Sequence, residues 1–363
     1  MEPVRPDYSG PNLVNVVPAL LGRRRVDWLP APVADASSVV LLVLDGLGWE
    51  AIAAHAGVMP ELDALVGSAI TTVVPSTTPV ALTSIATGVP PSRHGITGFR
   101  FRVDGTVLNA IRWQQADGKR PPDPEAFQRQ EVFGGRAVPV ITKQEFRGSG
   151  LTGAHLRGTD FMGWQTPAIL VEHVRAQVAS GAPFVYAYYP GVDEVAHAYG
   201  LDGPHYPAEL AAVDRLVGAV VDALPAHAAL LVTADHGQVN LGAESWVTLD
   251  ALDSMVAVYA GDARFRYLHA RSGAATELHA AAEALVGDDA WVFTRERLCD
   301  EGWIGPDPSG PARGRIGDVV LAAKRPVGFV DPTFPRETGL RSAHGSLTAA
   351  EMEVPLVAGR GRG

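Results

Sequence analysis

Cysteine is almost absent: Cys299 is the only one, so no disulfide can form within the chain. Long basic runs are missing too. The short run Arg23–Arg25 reads as a solvated face, and a net charge of −10 argues against binding a nucleic-acid polymer. No apolar stretch is long enough to span a bilayer, and Met1–Gly10 holds no apolar signal-peptide core. The expectation is a soluble, cytoplasmic protein with no membrane partner. No internal repeat or low-complexity tract is evident. Nor does a G-x-G-x-x-G follow the first apolar strand, since Asp45-Gly46-Leu47-Gly48 does not continue that pattern, which excludes a dinucleotide-binding reading.

What is present is enough apolar residue for a large core, 47% of 363. Val39–Leu44 is a continuous apolar run that predicts a buried parallel strand, with Trp49–Ala56 as the helix after it. Ala69–Pro75, Ala137–Thr142, Pro183–Tyr189 and Ala228–Thr233 have strand character. Pro167–Ser180 and Pro207–Leu224 have helical periodicity. Thr78-Pro79 before VALTSIATG is a helix start with Thr78 as N-cap and Pro79 first in the helix; Gly88 lies just past the end. This alternation implies an α/β fold with a doubly wound, mostly parallel central sheet and helices on both faces.

Three regions break the rhythm. Residues 1–36 are Pro-rich and read as a surface strap. Residues 99–136 are polar and irregular, and read as an insertion capping the crevice. Residues 240–325 read as a small α+β insertion, with strands Phe265–Ala270 and Ala290–Phe293 around a helix at Ala275–Val286. Phe146–Gly153 and Asp193–Gly203 read as loops. Asp318–Ala323 with Val327–Asp331 reads as a hairpin returning to the core, and Val354–Ala358 as a closing strand. The chain is then one domain, 1–363, carrying two insertions.

Four segments set metal-ligand residue types at strand ends: Asp45, Asp193 with His197, Asp235-His236, and His344. Carboxylate and imidazole together suit zinc and similar divalent ions. Each has a plain alternative, since Asp45 could merely cap the next helix and D-x-x-x-H is commonly two surface residues. His55, His155, His173, His205, His227, His269 and His279 have no such context and read as surface or structural. Thr78 could be an ordinary cap. At a helix N-terminus it could equally meet an incoming phosphate as nucleophile, its hydroxyl activated by a cation.

The ordered set LDGLG, PSTTPVALTSIATGVPPSRHGI, DEVAHAYG, TADHG and AHGS resembles the alkaline phosphatase superfamily, most closely its type I phosphodiesterase / nucleotide pyrophosphatase branch. The resemblance implies a metal-dependent phosphoric ester hydrolase with two Zn2+ ions. Asp45, Thr78, Asp235 and His236 would surround one, and Asp193, His197 and His344 the other. Thr77 competes with Thr78 for the nucleophile role, but counting back from Thr87-Gly88 by the family's interval lands on Thr78. The substrate would be a small phosphate ester, attacked by Thr78 to give a phosphothreonine. Two departures stand out. Where family members commonly carry an asparagine that contacts a phosphoryl oxygen, this chain has Phe99, with Asn109 a substitute from the insertion; and Pro79 follows Thr78 directly. Alternatives are a phosphomonoesterase or phosphonate-ester hydrolase on the same site, or a non-catalytic zinc or phosphate-ligand binding protein.

Overall fold

The computed structural model describes residues 2–22, 26–306 and 311–363, so Arg23–Arg25 lie outside the described residues. A strand with no polar face must be covered on both sides, and Ser38–Leu44 is, with all seven residues buried. In chain order the strands of the two large sheets are β1 (Ser38–Leu44), β2 (Val66–Thr71), β3 (Pro139–Lys143), β4 (Asp160–Trp164), β5 (Phe184–Tyr189), β6 (Ala228–Thr233), β7 (Val256–Asp262), β8 (Phe265–Ala270), β9 (Ala290–Thr294), β10 (Val319–Ala323) and β11 (Glu353–Arg360).

The larger sheet has the order β2-β11-β6-β1-β5-β3-β4. β1 lies parallel to β5 on one side and β6 on the other, and β3 runs parallel to β4 and β5. Only β11 opposes its neighbours. The expected doubly wound, mostly parallel sheet is therefore present. Helix α1 (Leu13–Leu21) packs on α2 (Thr78–Thr87), while α5 (His205–Ala223) packs on α3 (Pro167–Ala179) and α4 (Gly191–Tyr199). Leu44 pairs with Tyr189 and Val43 with Thr233, so Asp45, Asp193 and Asp235 all follow strands that leave the sheet at one edge. That edge, where neighbouring connections diverge, is where open α/β sheets bind ligands.

The second sheet is antiparallel, β7-β8-β10-β9, and α6 (Ala275–Val286) covers one face through Leu278, Ala282 and Val286. The reading of 318–331 as a hairpin returning to the core is wrong. β10 pairs with β8 and β9 inside this sheet, and Gly328–Phe329 pairs in parallel with Trp246–Val247.

Other expectations shift for local reasons. Within 1–36 lies a helix, α1, with Asn12 Oδ1 accepting from the Val14 amide at 3.0 Å; Pro18 inside it hides the periodicity. β2 ends at Thr71, earlier than Pro75. β4 was missed because Gly163 interrupts an edge strand, and there it leaves room for the Gln144 side chain. Residues 144–155 are short helical turns, and Asp193–Gly203 is mostly the helix α4. Residues 99–136 are more regular than expected. Strands Arg100–Val103 and Thr106–Asn109 form a hairpin turning through Asp104-Gly105, with φ of 50 and 84°. A two-residue Asp-Gly turn with both φ positive matches the strands' twist. No helix among the described residues is long and apolar enough to cross a membrane.

Candidate metal and phosphoester site

Each candidate ligand sits where a strand stops. Asp45 follows β1, and its amide donates to the Tyr189 carbonyl (2.9 Å) while its carbonyl accepts from the Asp193 amide (3.1 Å). Gly46 makes that approach feasible: its φ is +77°, and a Cβ there would lie 3.0 Å from the Asp193 Cα. α4 carries Asp193 and His197 one turn apart, so both face the same way. Asp235 and His236 follow β6 directly, and His344 follows the short strand Ser342–Ala343.

These side chains converge in two overlapping sets. Asp193, His197 and His344 form one, with Asp193 Oδ1 3.3 Å from His197 Nε2 and 3.7 Å from His344 Nε2. Asp45, Asp193 and His236 form the other. His236 Nε2 lies 3.4 Å from both Asp45 Oδ1 and Asp235 Oδ2, and 3.1 Å from Thr78 Oγ1. The grouping differs from the one carried over in two respects: Asp193 reaches both sets, and Asp235 stands beside the second through His236 rather than within it.

Three observations fit this donor set to cations. Asp45 Oδ1 and Asp235 Oδ2 are buried without a hydrogen-bond partner, which costs dearly unless a cation meets them. Nδ1 of His197, His236 and His344 meets the carbonyls of Ser342 (2.7 Å), Gly237 (3.1 Å) and Ser76 (2.9 Å), which leaves each Nε2 as a lone-pair donor. Finally, the charges are unbalanced. Burial, then repulsion from Asp235 and Asp193, pushes the Asp45 carboxyl well above the usual range. Burial also raises Asp193, and burial with the neighbouring His236 and His197 drives His344 well below an ordinary imidazole. His344 held neutral beside crowded carboxylates makes a donor set suited to a positive centre.

Thr78 is not the N-cap. Thr77 takes that place in extended conformation, and Thr78 and Pro79 are the first two helical residues. The Thr77 hydroxyl does not cap the helix because it donates to Asp262 Oδ1 at 2.7 Å. The Val80 and Ala81 amides both donate to the Thr77 carbonyl, so neither is turned to an anion at this terminus. Beside Thr78 opens a cavity of about 330 Å3, with Phe99, Phe334, Asp193, His197 and His344 in its wall. Phe99 enters this wall by its ring, while its amide donates to Asp262 Oδ2 at 3.3 Å. Asn109 lines a neighbouring cavity instead, with Oδ1 accepting from the Arg112 amide at 2.9 Å.

Three supporting residues were not anticipated. Asp262 comes from β7 of the second sheet and joins Thr77 to Phe99; burial raises its carboxyl to about 6. Gln238 Nε2 donates to Asp193 Oδ1 at 2.6 Å, and its Oε1 accepts from the Ser342 hydroxyl. Tyr188 donates to Asp45 Oδ2. Gln238 directly follows the TADHG motif and Tyr188 lies in the strand read at 183–189, but nothing local marks Asp262.

Comparison with known proteins follows the geometry. Residues 39–168 and 159–346 match the family described as Type I phosphodiesterase / nucleotide pyrophosphatase. An 82-residue stretch is 35% identical to GPI ethanolamine phosphate transferase 3 of Schizosaccharomyces pombe, covering 23% of this chain and 9% of the transferase. The chain thus spans about a tenth of that curated relative. Murine ectonucleotide pyrophosphatase / phosphodiesterase 5, in an inactive form with AMP, superposes with a TM-score of 0.66 at 13% identity, covering 89% of this chain and 87% of that one. Phosphonoacetate hydrolase from Sinorhizobium meliloti 1021, in complex with phosphonoformate, gives 0.62 at 20% identity, covering 99% and 94%. These two likenesses establish the fold. With the family match spanning most of its length, the chain belongs to the type I phosphodiesterase / nucleotide pyrophosphatase family.

Proposed function

We propose that this protein hydrolyses small phosphodiesters of the nucleotide type, with Thr78 as nucleophile and two divalent ions, zinc by the chemistry of the donors. The observation that carries the reading is the position of the Thr78 hydroxyl, 3.1 Å from His236 Nε2 in the wall of the cavity, while Thr77 is committed to Asp262. Asp45, Asp235 and His236 would hold one ion beside Thr78. Asp193, His197 and His344 would hold the other, with Asp193 in reach of both. When bound, such a pair lowers the pKa of an attacking hydroxyl and offsets charge on the leaving oxygen.

The chain's own groups do the rest. Thr78 Oγ forms a bond to phosphorus as the bond to the leaving oxygen breaks, and the leaving group takes up a proton. Water then attacks the phosphothreonine and frees Thr78 for the next turnover. The Ser342, Gly237 and Ser76 carbonyls fix the three imidazole planes throughout. Thr78→Ala should lose nearly all turnover while keeping its zinc by elemental analysis. Full activity in that variant would refute the assignment, and loss only in Thr77→Ala would move it one residue.

A second reading, a phosphomonoesterase or phosphonate-ester hydrolase, is favoured by one feature. Phe99 presents a ring where relatives present an amide, and Asn109 is turned to Arg112. The murine neighbour holds AMP, a nucleoside monophosphate, and the Sinorhizobium neighbour a phosphonate. Hydrolysis of p-nitrophenyl phosphate against the p-nitrophenyl ester of thymidine monophosphate separates the readings. A strong diester preference supports the first, and a monoester preference the second.

A further inference from the structure

The cavity beside Thr78 is lined by three kinds of residue. Asp193, His197 and His344 are candidate ligands. Phe99, Ile111, Phe334 and Leu340 are apolar, with the rings of Phe99 and Phe334 edge to face at 5.9 Å. Two arginines join them from separate segments. Arg112 follows the strand Thr106–Asn109, and Arg336 lies in the short turn Pro335–Gly339. Both also border the adjoining cavity of about 340 Å3, so they stand at the boundary between the two.

Their charges are uncompensated. Among the described residues, neither Arg112 nor Arg336 forms an ion pair, although Arg100, Arg264 and Arg266 nearby are all paired. The carboxyls facing the same cavity are otherwise engaged: Asp193 with the candidate ligands and Gln238, Asp262 with Thr77 and Phe99, Glu337 with Arg266. Two exposed arginines without acids, at the boundary of a cavity whose wall also holds apolar rings and the candidate ligands, form a receptor for negative charge apart from those ligands.

We propose that Arg112 and Arg336 recognise a second anionic group, a carboxylate or phosphate, at the far end of an apolar or aryl arm attached to the reacting phosphorus. This rests on the hydrolase reading for its phosphorus end, and it names the substrate class: phosphate or phosphonate esters with an anion beyond the arm. A neutral arm would fill the cavity and leave both guanidinium groups facing water.

The test is calorimetric binding of phenylphosphonate and 4-carboxyphenylphosphonate to the zinc-supplied full chain, which needs no turnover. The carboxylated ligand should bind roughly five- to tenfold more tightly at low salt, the scale expected of exposed charge pairs. That ratio should shrink as ionic strength rises. It should fall to near one in R112A/R336A and drop below one in R112E/R336E. Both side chains are exposed, so these variants should fold. Equal affinities in the unaltered chain, a ratio that survives R112A/R336A, or no binding of either ligand would overturn the proposal. Hydrolysis is scored separately on the p-nitrophenyl esters. Discrimination without turnover would sink the hydrolase reading and leave the anion receptor standing.

Discussion

Gln238 shows how much of a metal site lies outside its ligands. One face of its amide holds Asp193 Oδ1 at 2.6 Å and the other takes the Ser342 hydroxyl, while the Ser342 carbonyl meets His197 Nδ1. Gln238→Leu keeps the volume but frees all three. Zinc affinity should fall about 10- to 100-fold, the usual cost of losing an outer partner, measured by competition with a chromophoric chelator. Unaltered affinity would mean that α4 alone fixes Asp193. His269 is the opposite case, a buried histidine whose two ring nitrogens have no partner. Burial, helped by Arg102 and Arg295, holds its pKa down to about 3. Its folded pKa lies below the unfolded value of 6.5, so its neutral form is what the fold tolerates. Stability is lost as pH falls below 6.5, by up to about 1.4 kcal/mol per unit until the folded pKa is reached. His269→Leu should therefore flatten the acid limb of a urea-midpoint-against-pH curve without lowering the midpoint at pH 8. A steeper limb would refute this.

At the scale of elements, a hairpin of the second sheet reaches into the first. β7 and β8 turn through Ala263-Arg264, placing Asp262 against Thr77 and Arg264 against Glu351, with both Arg264–Glu351 contacts at 2.8–2.9 Å and both side chains fully buried. Glu351 also accepts from the Ser346 amide at 2.9 Å and the Thr348 hydroxyl at 2.6 Å, which fixes the loop after His344. Arg264→Met leaves Glu351 buried and unpaired, and should cost about 3–5 kcal/mol in urea unfolding. Adding Glu351→Leu should recover much of that; a double variant as unstable as the single one would contradict it. Much of the framework was legible in sequence, because parallel strands buried on both faces are long apolar runs and because the ligand motifs follow those runs immediately. Asp45, Asp193, His197, His236 and His344 come together at one sheet edge, with Asp235 3.4 Å from His236. What was illegible depends on distant pairing. β10 has the same apolar pattern whether it returns to the core or stays in the second sheet, and Asp262 acquires its task only when β7 arrives beside Thr77. The Asp104-Gly105 turn was there to be read but sits among prolines and polar residues that mask it.

Across the whole molecule, buried acids and imidazoles pull the pH profile in opposite directions. Burial lowers His94 to about 3 and His155 to about 4, and raises Glu337 to about 7. Like His269, the two histidines lose stability below pH 6.5. Glu337 gains it as pH falls from about 7 to 4.5, and Asp262 as pH falls from about 6 to 3.8. Below 4.5 only Asp262 still gains, while His94 and His269 go on losing to about 3. Metal-free protein should therefore show a shallow pH dependence of its unfolding midpoint above pH 5 and a steep fall below pH 4.5. A steep fall already between pH 7 and 5 would refute the compensation.

The place of β11 bears on how the molecule is made. Glu353–Arg360 lies between Val66–Thr71 and Ala228–Thr233, pairing with both. In the larger sheet Val66–Thr71 has no other strand neighbour. At synthesis rates of about 5–20 residues per second, it waits on the order of tens of seconds for its partner to be translated. During that interval Ala228–Thr233 presents a bare apolar edge of the kind that recruits foreign strands. Until Glu353–Arg360 is made, the largest sheet lacks the strand that joins its two parts.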